Sequence, residues 1–85
     1  MKVRVRFGAG LSRLAGMPRV VVELDDDATV ADLLAALAHR TPDLNGALSR
    51  ALAVLGGRHL PASGPLHDGD EVSLLLPVAG GAGAP

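Results

Sequence analysis

Apolar and basic residues alternate strictly at the start of the chain. Over residues 1–7 the apolar side chains share one predicted face: Val3, Val5 and Phe7. The basic side chains share the other face: Lys2, Arg4 and Arg6. A period of two residues is the pattern of a strand with one buried face, so these residues predict a first half-buried strand.

A second run of β-branched residues, 19–24, predicts another strand. Its side chains on the expected core face are Val20, Val22 and Leu24. The intervening residues 8–18 predict an irregular connection with at most a short helical turn at residues 11–15. We therefore expect the two strands to form a wide hairpin.

Residues 25–40 predict the main helix. Thr29 stands where a helix N-cap belongs, and Asp32 three residues later completes a capping-box pattern. Apolar residues recur at helical spacing and form one stripe: Val30, Leu33, Leu34, Leu37 and Ala38. Arg40 suits the C-terminal end of the helix, and Pro42 stops it.

The remaining chain predicts short elements. Thr41 and Pro42 are suited to start a second, shorter helix. Residues 51–60 predict a strand, a Gly-Gly turn and a short edge strand. Residues 66–78 predict a turn followed by a last strand, with Val72 and Leu74 facing one side and Ser73 and Leu75 the other.

This element order predicts an α+β fold, a β-grasp (ubiquitin-like) roll in which a mixed sheet of about five strands packs on one main helix. We expect the strand before the helix to pair with a later strand through a right-handed crossover. Residues 1–77 form the predicted domain, and residues 78–85 form a flexible glycine-rich tail.

Composition narrows the class of protein. The chain has 85 residues, 48% of them hydrophobic, a formal net charge of −1 and no cysteine. A nucleic-acid-binding domain would show a basic face with stacking aromatic residues, but Phe7 is the one aromatic residue. We therefore expect no nucleic acid partner. No apolar run approaches the ~20 residues needed to span a bilayer, so we also expect no membrane span and a cytoplasmic protein. The basic face of the first strand is either simply solvated or meets an acidic partner.

Candidate chemical motifs are weak. Gly8 and Gly10 begin a phosphate-loop pattern, but Arg13 stands where the third glycine is needed. The consecutive aspartates 25–27 cannot all point at one cation. The histidines show no zinc-ligand spacing: His39, His59 and His67. We expect a protein that is not an enzyme, with no catalytic residue, no metal and no bound cofactor.

The C-terminal residues are the strongest candidate site. Gly80 and Gly81 follow Pro77, and glycine lets a backbone pass through a channel too narrow for a Cβ atom. Residues 77–81 would reach roughly 13–14 Å when extended, enough to enter the active site of another protein. The alternative is an ordinary frayed terminus.

The chain resembles the MoaD/ThiS family of ubiquitin-like sulfur carriers, most closely the small subunits of molybdopterin synthase. The resemblance covers residues 1–81 and is carried by MKVRVRFGAGLSRLAG, VVVELDDDATVADLLAALAHRTPDL, PLHDGDEVSLLLPVAGG and the Pro-Val-Ala-Gly-Gly ending. It implies the β-grasp fold and a carrier that acts with partner enzymes, most plausibly in molybdenum cofactor biosynthesis.

The resemblance also implies site residues and partners. An E1-like enzyme would use ATP to adenylate the carboxylate of Gly81, which a sulfur donor then converts to a thiocarboxylate. Val78, Ala79 and Gly80 would thread into a synthase large subunit or another sulfur-accepting synthase. Docking of these partners would use a sheet face with Val21, Leu75, Arg4 and Arg6, although Leu75 is equally explained as an ordinary strand residue.

Two departures from the family pattern stand out. Leu76 replaces a proline that many members have before Pro77, and residues 82–85 follow Gly81. An internal glycine has no carboxylate, so a protease would have to cleave after Gly81. The alternatives are a carrier that serves thiamine, cysteine or a specialised thio-metabolite, and a ubiquitin-like interaction or modifier module.

Overall fold

A computed structural model describes residues 1–77. Its strands are β1 (Lys2–Phe7), β2 (Arg19–Glu23), β3 (Leu52–Leu55), β4 (Arg58–Leu60) and β5 (Glu71–Leu75). Its helices are α1 (Ala9–Ala15), α2 (Val30–Arg40) and α3 (Asn45–Leu48), with a 3-10 turn at Pro42–Leu44. Every strand predicted from the sequence is present, and the α+β fold is confirmed.

The five strands form one mixed sheet in the order β2-β1-β5-β3-β4. Strands β1 and β5 are parallel, and every other neighbouring pair is antiparallel. The expectation that the strand before the main helix pairs with a later strand is wrong. Strand β2 lies at the edge and pairs with β1, and the long connection that follows it, through α2 and α3, leads to β3, which pairs with β5 and β4 rather than with β2.

Helix α2 covers one face of the sheet. Its capping box is present, because the Asp32 carboxylate accepts hydrogen bonds from the backbone N–H and the hydroxyl of Thr29, at 2.9 and 3.1 Å. The next two N–H groups, of Val30 and Ala31, donate to carbonyls of the 62–64 loop at 3.0 and 2.9 Å. The first turn of the helix is thus tied to the chain that leads into β5.

The core between α2 and the sheet is built from aliphatic side chains and Phe7. Helix α2 contributes Val30, Leu33 and Leu37, and the two central strands contribute Val3, Val5, Val72 and Leu74. Alternation along β1 correctly predicted its buried face. Among residues 1–77 no polar or charged side chain is buried.

Helix α1 is longer than the short turn predicted from the sequence. It spans seven residues and is capped by Gly16, whose φ of 76° is left-handed and suits glycine. Leu11 of this helix is fully buried in the core. Burial of Leu11 explains why a segment with glycine near its start still forms a helix, since tertiary packing overrides local propensity.

Replacing Leu33 by alanine tests the core. Leu33 is fully buried beneath the sheet, so Leu33→Ala should lower the free energy of unfolding by about 2–5 kcal/mol. Urea denaturation followed by circular dichroism measures this loss. The matched Leu14→Ala change removes the same atoms from a side chain that is 46% exposed, and it should cost less than about 1 kcal/mol. Equal losses would contradict the packing described.

Candidate functional site

The side of the sheet away from α2 is open and carries the predicted docking residues. We call it the exposed sheet face. Its side chains from β1 and β2 are Lys2, Arg4, Arg6, Arg19, Val21 and Glu23, and those from β5 and β3 are Glu71, Ser73, Leu75, Leu52 and Val54. All four predicted docking residues therefore share one surface.

Arg4 and Val21 lie side by side on this face. Arg4 is paired in register with Val21 of β2 on one side and with Glu71 of β5 on the other. The Val21 side chain is 49% exposed, which is high for a valine in a sheet. From the other side of β2, the Arg40 guanidinium donates a hydrogen bond to the Val21 carbonyl at 3.0 Å, so this edge position is fixed to the end of α2.

Leu75 lies at the opposite end of the exposed sheet face. It pairs in register with Leu52 of β3, and the two side chains are 41% and 39% exposed. Arg6 pairs with Ser73, which precedes Leu75 by two residues and lies on the same face of β5. The predicted residues thus form two groups, Arg4 with Val21 and Arg6 with Leu75, rather than one cluster.

The charge of this face differs from that of the whole chain. Strands β1 and β2 place four cations on it, Lys2, Arg4, Arg6 and Arg19, against the two carboxylates of Glu23 and Glu71. The chain as a whole has a formal net charge of −1. The exposed sheet face is therefore locally positive and would attract an acidic surface.

Carboxylates gather where β1 begins. Glu23 pairs with Lys2 across the β1–β2 hairpin, and the Asp68 carboxylate accepts the Lys2 backbone N–H at 2.7 Å. Asp26 lies 3.4 Å from the amino group of Met1. Because β5 is parallel to β1, the chain leaves β5 at the other end of the sheet, away from this acidic end.

The end of β5 is held against the start of α1. The Gly8 backbone N–H donates a 2.8 Å hydrogen bond to the Leu74 carbonyl. A Cβ atom at Gly8 would lie 3.0 Å from Leu75 Cδ2, and one at Gly10 would lie 3.0 Å from Leu76 Cδ1. The two glycines therefore make room for the last residues before the C-terminal segment, and no phosphate-binding role is needed to explain them.

Residues 1–77 contain neither a cluster of metal ligands nor a membrane-spanning helix. No three His, Cys, Asp or Glu side chains of this segment come close enough to hold a metal ion. No helix of this segment is long and apolar enough to cross a membrane. The depressions on the exposed sheet face are open, one beside Arg4 and Val21 and another beside Arg6 and Leu75.

The predicted tail residues fall outside the part of the chain that the structure describes. They are Val78, Ala79, Gly80 and Gly81, together with the following residues 82–85. Their roles, and the boundary between domain and tail at residue 77, remain predictions.

Sequence reasoning missed Leu52 and Arg19 as members of the exposed sheet face, and it missed the contacts of Gly8 and Gly10 with residues 74–76. The alternation of residues 51–55 could have placed Leu52 opposite the buried Ala53. No sequence signal relates Gly10 to Leu76, because their contact depends on which strands are neighbours.

A five-stranded sheet in this order, wrapped on one helix, defines a ubiquitin-like β-grasp domain. The chain belongs to the ThiS family of sulfur carriers, whose family model matches residues 5–81. The match runs through the Gly80-Gly81 pair and stops before Ala82.

Two relatives span nearly the whole chain. A molybdopterin synthase sulfur carrier subunit from Chlamydomonas reinhardtii is 30% identical, over 95% of this chain and 100% of its own length. Small archaeal modifier protein 3 from Haloferax volcanii is 35% identical, with the same two coverages. The chain is therefore similar to proteins named for two different roles.

Solved structures agree with the fold. The crystal structure of SAMP1 from Haloferax volcanii has a TM-score of 0.85 and 28% identity, and the match covers 94% of this chain and 99% of that one. A complex of subunits 1 and 2 of molybdopterin-converting factor from Helicobacter pylori matches with a TM-score of 0.66, 27% identity and coverages of 94% and 99%.

Replacing Gly8 by alanine tests the close approach of β5 to α1. A new Cβ would lie 3.3 Å from the Leu74 carbonyl oxygen and also against Leu75. The backbone would have to shift to relieve this contact, which costs free energy. Gly8→Ala should therefore lower the free energy of unfolding by about 1–3 kcal/mol. The control is Gly46→Ala in α3, where a Cβ meets nothing within 4 Å. A Gly8→Ala protein as stable as this control, in the same urea titration, would contradict the contact.

Proposed function

We propose that the chain is a sulfur carrier whose C-terminal glycine is converted to a thiocarboxylate, and that it serves molybdopterin synthesis. The observation that carries this proposal is the family match through Gly81, together with full-length similarity to a molybdopterin synthase sulfur carrier subunit. The open sheet face and the absence of buried polar side chains in residues 1–77 suit a protein whose chemistry is supplied by partners.

The proposed chemistry takes place on the Gly81 carboxylate. One carboxylate oxygen attacks the α-phosphorus of ATP in an E1-like enzyme, which releases pyrophosphate and leaves an acyl adenylate. A sulfur nucleophile then displaces AMP at the acyl carbon and leaves a thiocarboxylate. The thiocarboxylate sulfur attacks the acceptor within a synthase large subunit and displaces a leaving group from it. Water then hydrolyses the acyl–sulfur bond, which leaves the sulfur on the acceptor and regenerates the Gly81 carboxylate. Gly80, Ala79 and Val78 pass through the channel that leads to this site.

Any residue that follows Gly81 must be removed before this chemistry. An internal glycine carbonyl belongs to a peptide bond and has no oxygen that can attack ATP. We therefore include a protease that cleaves between Gly81 and Ala82 in the proposal. The end of the family match at Gly81 supports this position for the cut.

A modifier role is the second candidate, favoured by the similarity to small archaeal modifier protein 3 and to SAMP1. It begins with the same adenylate, but a lysine amine attacks the acyl carbon in place of sulfur and an isopeptide bond forms. Carriers for thiamine, cysteine or a specialised thio-metabolite share every step except the final acceptor.

Incubation with an E1-like activating enzyme, ATP and sulfide tests the carrier function. A form that ends at Gly81 should gain the mass of one oxygen-to-sulfur exchange, and the 85-residue form should not. Intact-mass spectrometry measures both. A trimmed form that is never adenylated would overturn the carrier function, while lysine adducts without a thiocarboxylate would favour the modifier role.

Docking of partners on the exposed sheet face can be tested separately. Val21 is an exposed apolar side chain on the locally positive sheet face. Val21→Asp places a negative charge there, which would repel the acidic surface of a partner. Binding of the activating enzyme should weaken about ten-fold or more, as when a contact residue that carries much of the binding energy is changed. Isothermal titration calorimetry measures the change. Leu14→Asp makes the same change at a similarly exposed leucine of α1, and it should leave binding within about two-fold. Equal effects of the two variants would contradict docking on this face.

A further inference from the structure

We propose that Gly10 and Leu76 form a seat that fixes the direction in which the C-terminal segment leaves the domain. The role rests on the proposed carrier function, because it matters only if that segment enters a partner. Gly10 lies in the first turn of α1, and Leu76 is the last residue before Pro77.

The Leu76 side chain lies directly beside Gly10. A Cβ atom built at Gly10 would lie 3.0 Å from Cδ1 and 4.0 Å from Cγ of Leu76, so the Leu76 side chain occupies the space that a larger residue would fill. Leu76 is half-buried and packs against the hydrophobic core. Strand β5 has already ended at Leu75, so ladder hydrogen bonds no longer hold Leu76.

Three successive residues meet the start of α1. The Leu74 carbonyl accepts from the Gly8 N–H, the Leu75 side chain lies against Gly8, and the Leu76 side chain lies against Gly10. Pro77 follows and is exposed, and its ring fixes its own φ. Among residues 1–77, Leu76 is therefore the last side chain that packs on the core, and it lies directly before a residue of restricted rotation.

A rigid exit has a chemical benefit. A reacting carboxylate must reach ATP within a narrow range of positions, and displacement by about 1 Å can cost as much as a hundred-fold in rate. Such precision needs a restricted exit from the domain. In this chain the packing of Leu76 on Gly10 provides the restriction, which makes Gly10 a positioning residue.

Gly10→Ala separates this role from folding. The atom that a new Cβ would displace is the end of a flexible side chain, and alanine favours a helix more than glycine does. The protein should keep its melting temperature while Leu76 is pushed from its seat. Gly46→Ala is the matched control, because a Cβ there meets nothing within 4 Å.

The experiment uses forms that end at Gly81 and measures adenylation by the activating enzyme. Gly10→Ala should lower kcat about ten-fold and leave KM within about two-fold, because docking on the exposed sheet face is intact. Gly46→Ala should change neither. Leu76→Ala should lower kcat similarly, and adding Gly10→Ala to it should cause no further loss, since both act through one contact.

Several results would overturn the proposal. The first is an unchanged kcat in Gly10→Ala, and the second is a fall in its kcat accompanied by an equal rise in KM. The third is a fall in the kcat of the double variant equal to the product of the two single losses. An NMR cross-peak between the α-protons of Gly10 and a methyl group of Leu76 is also expected, whatever the function. A cross-peak with no adenylation of the unsubstituted chain would instead overturn the carrier function, and the role of the seat with it.

Discussion

The parallel pairing of β1 with β5 is the interaction on which the rest of the structure depends. It brings residues from the two ends of the described chain into register, Arg4 with Glu71 and Phe7 with Leu74. Without it, the β1–β2 hairpin and the β3–β4–β5 strands would be two separate pieces, each too small to bury a core. Helix α2 can cover both because the pairing joins them, and ordering the long connection between them is the entropic cost.

The same pairing decides where the functional features lie. Because β5 runs parallel to β1, its last residues arrive beside Gly8 and the start of α1, at the end of the sheet away from Asp26 and Asp68. The chain therefore leaves the domain at the end of the exposed sheet face where the exposed leucines lie, Leu52 and Leu75. A partner seated there would meet apolar surface, cations and the departing chain together.

Local pattern predicted the elements well and their arrangement less well. Alternation in β1 and the capping box at Thr29 depend on neighbouring residues, so the sequence contains their full signal. The partner of β5 depends on contacts between residues far apart in the chain, and an element order is compatible with more than one pairing. Helix α1 was underestimated for a related reason: the burial of Leu11 stabilises it, and that burial is a property of the assembled core.

The central position of β5 has a mechanical consequence. A strand at the edge of a sheet, such as β4, can be peeled away one hydrogen bond at a time. Strand β5 is flanked by β1 and β3, so a force applied at Pro77 along the strand loads both ladders in shear, and their hydrogen bonds must break together. A protein that pulls on the C-terminal end of this chain must therefore apply a large force before the domain unfolds.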